Sequence, residues 1–335
     1  MGRHRTINYF QWIRAIGAVS IVFLHAIGTM RNTYGANALG ALRVGFEEGL
    51  SVGLSRWAVP AFFMMSGALM LDPDREMSWK KCLRHVWRLL FVLLTFGFAF
   101  CLIESVVNHG HLDLDVILEA VDSLLAQNSW DHMWYIYHLA GFYLITPFLR
   151  LWVAQASRKE YGWVVLVSFL LLQGTRTISA FKPYNIYNIV SMRECISWYL
   201  AGYYVHKYVE LDRRWVVAGA ASLVATIALD VGLGWGWAVD PWRIVCAPYA
   251  ILVMLLFKRF LEVPTAGHRL IELLADFSFG IYLVHPVFQH LAVTFLDLAA
   301  YPAIVVNAAL VLVPTALSML LVWLLRFVPG FRGKV

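Results

Sequence analysis

The chain has 335 residues, of which 60% are hydrophobic and only 14% charged, and its mean hydropathy is +0.66. A soluble domain carries about a quarter charged residues; a deficit spread over the whole length excludes one water-excluded core and places most of the chain in lipid. The net charge of +6 does not signal nucleic-acid binding, because the basic residues form short clusters between apolar runs and not one exposed face.

The N-terminus reads Met1-Gly-Arg-His-Arg5 and then enters a long apolar stretch with no small-residue cleavage site. It reads as a first transmembrane helix and not as a removed signal. About ten apolar stretches reach the roughly 20 residues that a spanning helix needs, near 9–30, 50–71, 84–105, 132–152, 162–180, 189–206, 215–233, 241–257, 273–296 and 303–326. The expected fold is therefore all-α, a polytopic membrane helix bundle. One transmembrane domain is expected over 1–335, with no appended soluble domain.

Lys and Arg set the orientation. With the N-terminus in the cytoplasm, the inner segments hold Arg3 and Arg5, then Arg75, Lys80, Lys81, Arg84 and Arg88, and later Lys207, Arg213, Arg214, Lys258 and Arg259. The 106–130 loop carries Asp113, Asp115, Glu119 and Asp122 with no Lys or Arg, which suits the outside. Both termini are expected in the cytoplasm. Cys82, Cys101, Cys195 and Cys246 are widely separated and form no Cys-x-x-Cys pair, which argues against a metal or redox motif.

The first span holds two residues that lipid should exclude, Arg14 and His25. An ionisable residue inside a span is by default a functional candidate. Eleven positions at about 100° each bring both side chains to one face, with a rise of about 16 Å. Arg14 then lies near the cytosolic surface and His25 toward the outer half. A guanidinium suits phosphate, and an imidazole suits proton transfer near neutrality. Two plainer explanations stand beside this one. A lone Arg one turn into a span snorkels to the headgroups, and a lone His bonds a neighbouring helix. Ser66 and Gly67 in the second span read as small residues that let a backbone approach closely.

Four segments then carry a resemblance. Arg14 and His25 with ten residues between them are followed by Pro60-Ala-Phe-Phe-Met-Met-Ser-Gly67, by Trp134-Tyr-Ile-Tyr-His-Leu-Ala-Gly-Phe-Tyr-Leu-Ile-Thr-Pro147 and by Ser278-Phe-Gly-Ile-Tyr-Leu-Val-His285-Pro286. In this order, from about residue 7 to the last span, they resemble the acyltransferase family 3 of bacterial membrane proteins. The resemblance implies about ten helices in the cytoplasmic (inner) membrane. It implies transfer of an acyl group, usually acetyl from acetyl-CoA, to an extracytoplasmic hydroxyl, most often on a surface glycan. It makes Arg14 and His25 the essential pair. It also points to Lys80, Lys81, Arg84 and Arg88 as contacts for the phosphates of CoA, although an ordinary positive-inside loop explains each of these as well.

Two departures stand out. Leu139 and Ala140 occupy the region where many members of the family have a Glu in the fourth helix, and no counterpart of the soluble esterase-like domain of many relatives is expected. The chain thus looks closer to the short, transmembrane-only branch that includes the enterobacterial common antigen O-acetyltransferase. On the outer side, Trp130, His132, Trp134 and the 183–188 loop offer stacking faces and amides for a sugar, and interfacial anchoring explains the same aromatics. His285 either lines the same cavity or joins two helices. The competing class is a transporter or flippase of a glycan precursor or small solute, but no repeated halves are visible.

Overall fold

A computed structural model describes residues 7–34, 53–130, 132–181, 194–233, 244–264, 268–298, 301 and 303–335. Among them the regular structure is entirely helical: α1 (Asn8–Tyr34), α2 (Ala58–Met70), α3 (Trp79–Val92), α4 (Phe98–His109), α5 (Leu114–Leu125), α6 (Trp134–Gln155), α7 (Arg158–Ser168), α8 (Thr175–Phe181), α9 (Cys195–Tyr208), α10 (Arg213–Leu233), α11 (Ala247–Phe260), α12 (Arg269–Phe295) and α13 (Ala303–Leu325). Wider π-helical turns at Leu93–Gly97 and Phe169–Gly174 carry α3 into α4 and α7 into α8. Among the described residues, six stretches are long and apolar enough to cross a membrane: Asn8–Met30, Trp79–His109, Trp134–Gln155, Arg158–Ile178, Arg269–Phe295 and Ile304–Leu325. Within the described residues the other four expected stretches overlap α2, α9, α10 and α11, of which α2, α9 and α11 are only 13, 14 and 14 residues long. Large apolar side chains stay exposed on the spans, Val107 at 75% and Ile304 at 76%. Exposure on this scale suits lipid, where an apolar surface needs no cover.

Polar caps fix the ends of these helices, because the first amides of a helix have no partner within it. Ser78 caps α3, and Ser157 with Glu160 forms a reciprocal capping box on α7. Gly110 closes α4 at a φ of 73°, a left-handed conformation natural to glycine. The 106–130 segment is not simply a loop. Asp113 caps α5 by accepting from the Val116 amide at 3.0 Å. That bond, with His111 beside it, holds the Asp113 carboxyl below the usual carboxylate range.

The chain forms two compact units. In the larger one, residues 1–68 and most of 157–335, α1 packs along α12, and α12 along α13. The basic helix ends of this unit meet. Glu262 accepts from the Asn8 and Tyr9 amides, placing a carboxylate at the positive end of the α1 dipole. Tyr9 Oη lies 2.7 Å from His206 Nδ1, and Lys258 Nζ donates to Val209 O and to Glu210, each at 2.7 Å. At the opposite end Ala26 and Met30 of α1 pack with Leu298, Val306 and Leu310. The smaller unit, 69–156 with Lys334, packs α6 on α3 and α5 on α4. Its core includes Cys101, Ala120 and Leu124, with Tyr137 Oη donating to Leu124 O at 2.7 Å.

Candidate active site

The 27-residue α1 runs unbroken through both Arg14 and His25, so their shared face follows from helical geometry. Ala18 and Ile21 lie between them, within about 40° of Arg14 around the axis, and are 1% and 5% exposed. This stripe therefore faces protein and not lipid, while Arg14 and His25 themselves are half-buried. Taking the Tyr9–His206 contact as a level, Arg14 lies about 8 Å and His25 about 24 Å along the axis from the basic end. On the neighbouring side of α1, a Cβ at Gly17 would touch the Phe62 ring of α2 at 3.0 Å. α2 in turn meets α9, where a Cβ at Gly67 would overlap Tyr199 O and one at Gly202 would overlap Met64 O. The packing explanation of Gly67 is thus realised in this unit.

His285 of α12 comes to His25. Their ring centroids are 5.1 Å apart, with planes at 68°. His285 is fully buried, and its Nδ1 lies 2.7 Å from Ile281 O. A carbonyl only accepts, so Nδ1 is the donor in this bond. One turn further along α12, the fully buried Gln289 donates from Nε2 to Val22 O at 2.9 Å and to Leu310 O at 3.1 Å. Gln289 thereby ties α12 to both α1 and α13 close to His25. The sequence signal for it was present: His285 and Gln289 are four residues apart, two polar residues on one face of an apolar helix.

The remaining candidates lie in the smaller unit. On α3, Lys80, Lys81, Arg84 and Arg88 fall within about 100° of arc, and Cys82, Val86 and Leu89 form the buried side. Lys80 and Arg84 are exposed. Lys81 Nζ donates to Glu76 O at 2.9 Å, and Arg88 Nε donates to Lys334 O at 2.9 Å. Arg150 of α6 fixes the approach to α3 by donating to the carbonyl oxygens of Met70, Asp72 and Arg75 at 2.9, 2.5 and 2.6 Å. Trp130 stacks on Phe100 at 4.5 Å and 7°. His132 is 3% exposed, 5.7 Å from the same ring. Trp134 meets His138 edge-on at 5.6 Å. The 183–188 loop lies outside the described residues.

A second polar cluster in the larger unit escaped the sequence reading. Glu194, 4% exposed, pairs with Arg176 at 2.7 Å, and Gln173 Nε2 donates to Ser197 Oγ at 2.8 Å. Such buried polar contacts hold membrane helices together, and this one joins α9 to the helical stretch from Phe169 to Phe181.

No curated protein and no solved structure matches the chain. A family model described as an acyltransferase domain, Acyl_transf_3, matches residues 7–326. That range covers α1 with Arg14 and His25, α12 with His285, and every helix between them. The chain belongs to acyltransferase family 3 and is a polytopic membrane acyltransferase.

Proposed function

We propose that the protein transfers an acyl group, acetyl in the first instance, from cytosolic acyl-CoA to a hydroxyl of an extracytoplasmic or membrane-linked acceptor such as a surface-glycan sugar. One observation carries this reading: Arg14 and His25 stand about 16 Å apart on a single protein-facing stripe of α1, and His285 packs against His25. Arg14 holds phosphate of the donor near the basic end, a task suited to a guanidinium, and Lys80, Lys81, Arg84 and Arg88 supply further phosphate contacts. His25 removes the proton of the acceptor hydroxyl as that oxygen attacks the thioester carbonyl. Trp130, His132, Trp134 and His285 are the contacts proposed for the acceptor. The membrane is the bacterial inner membrane, with both termini in the cytoplasm. Direct transfer requires no covalent acyl-enzyme.

The test uses inverted inner-membrane vesicles, which expose the cytoplasmic face and enclose the lipid-linked glycans. Given acetyl-CoA labelled in the acetyl group, vesicles with the wild-type protein release free CoA thiol and accumulate label in glycan. Vesicles lacking the protein do neither, and those with His25→Ala fall to that background. Equal thiol release with and without the protein would overturn the reading and favour transport.

A further inference from the structure

A buried donor and a buried acceptor lie where α9 packs on the π-helical turn Phe169–Gly174, within the larger unit. Trp198 of α9 and Gln173 of the turn are both fully buried. The Trp198 ring meets Phe169, one turn before Gln173, edge-on at 4.8 Å. Ser197 Oγ donates to Glu194 O at 2.6 Å, so its one hydrogen is committed. Ser197 therefore accepts from Gln173 Nε2 at 2.8 Å, which fixes the amide and turns Oε1 away. Neither Gln173 Oε1 nor Trp198 Nε1 has a hydrogen-bond partner among the described residues. Helices surrounded by lipid have no bulk water to supply one, and Leu and Phe would fill the two places without that cost. The turn also leaves room. A Cβ added at Gly174, next to Gln173, would approach Phe169 O no closer than 3.9 Å, an ordinary contact. Wide turns of this kind are frequent at functional sites.

We propose that Gln173 and Trp198 form a binding site for the hydroxyl groups of a polyol, and that this polyol is the acceptor, held by hydroxyls other than the one acylated. The inference rests on the reading of the acceptor as a hydroxyl-bearing molecule. The two partners select the chemistry of the ligand. Trp198 Nε1 only donates, and Gln173 Oε1 only accepts. A carboxylate or phosphate oxygen answers the indole and not the amide, and an ammonium does the reverse. A hydroxyl both accepts and donates, so neutral polyols such as sugars answer both. Gln173 lies about 22 Å along the helical stretch from Arg158, away from the end that carries Arg158 and Lys207. In the proposed orientation this is the side from which the acceptor comes. The Arg176–Glu194 pair, one turn further that way, borders the site, and the Arg176 side chain is 32% exposed.

The experiment sets transfer against stability. Trp198→Phe keeps an aromatic ring beside Phe169 and removes the donor; Gln173→Met keeps the length of the side chain and removes the acceptor. Each is purified for thermal unfolding without acceptor, and each is assayed with labelled acetyl-CoA in inverted inner-membrane vesicles that enclose the lipid-linked glycans. A buried donor that waits for its ligand costs stability until the ligand binds. Trp198→Phe should therefore melt no lower than wild type, while transfer of label to glycan falls about tenfold, the upper end for one neutral hydrogen bond. The acetyl-CoA KM should stay within about twofold. Wild-type transfer by a folded Trp198→Phe overturns the inference: a lowered melting temperature beside it identifies a resident water as the partner, and an unchanged or raised one identifies packing alone. Transfer lost together with a lowered melting temperature also overturns it. Where Trp198→Phe does not elute as one species, Gln173→Met decides by transfer and KM alone, since it also loses the Ser197 bond. Wild-type protein that releases no thiol removes the proposed function and this site together, whereas an active wild type beside an equally active variant removes the site alone.

Discussion

Gly67 of α2 lies so close to Tyr199 of α9 that a side chain at position 67 would occupy the space of the Tyr199 carbonyl oxygen, and Gly202 stands in the same relation to Met64. Neither obstacle can rotate away, because both are backbone atoms. Gly67→Ala and Gly202→Ala should therefore each destabilise the protein by about 1–3 kcal/mol, the ordinary range of overpacking, or more. Gly28 and Gly141 are controls, with nothing within 4 Å of an added Cβ. Alanine there should be neutral or stabilising by up to about 1 kcal/mol. Thermal unfolding in detergent checks all four.

His25→Ala should cost roughly 100-fold or more in transfer, the usual contribution of a positioned proton acceptor. Acetyl-CoA binding should change little, because the base acts on the acceptor. Thiol release with and without acceptor-bearing vesicles reads the first effect, and calorimetric titration reads the second.

Arg14 should behave in the opposite way. Its proposed partner is phosphate, bound equally in ground and transition states, so Arg14→Ala should raise the acetyl-CoA KM by about tenfold while kcat falls less. Arg14→Lys should recover only part of the loss, since an ammonium lacks the planar fork of the guanidinium. Initial-rate kinetics over a range of acetyl-CoA concentrations decide it.

Gln289→Leu removes both bonds that tie α12 to Val22 and Leu310. Contacts of this kind inside a membrane average about 0.6 kcal/mol, so stability should fall by about 1 kcal/mol. Activity should fall further than that, because the helix carrying His25 loses its lateral anchor. Unfolding temperature and kcat, measured on the same preparation, separate the two effects.

All four cysteines are reduced and buried, so the native protein should resist a membrane-impermeant maleimide. Against that silent background, Asp115→Cys should label in intact cells and Asp212→Cys only in inverted vesicles, which checks the orientation drawn from the basic loops.

Within the described residues each of the ten expected apolar stretches overlaps a helix, and six are long and apolar enough to cross a membrane, because hydropathy marks apolar runs well and the ends of helices poorly. Hydropathy alone makes α5 a loop, since its acids Asp115, Glu119 and Asp122 break any 20-residue apolar window. Its spacing was nonetheless legible, with Val116, Ala120 and Leu124 buried along one side and Asp113 as the cap. The Arg14 and His25 stripe was visible because both residues share one helix and need only the 3.6-residue period. The approach of His285 was not, since it depends on how α12 packs against α1 across most of the chain. The Arg176–Glu194 pair depends likewise on how two helices pack, which neither residue alone reveals.

Glu262 holds the first turn of α1, and Gln289 holds it at Val22. Arg14 lies between the two clamps and His25 one turn beyond the second, so the interval from guanidinium to imidazole is set by helical rise and does not stretch with bilayer thickness. On the proposed chemistry the helix works as a ruler. A thioester whose arm matches that interval is read correctly, whereas acetyl carried on a truncated thiol, with no phosphate to grip, arrives without a reference mark and should be a poor donor.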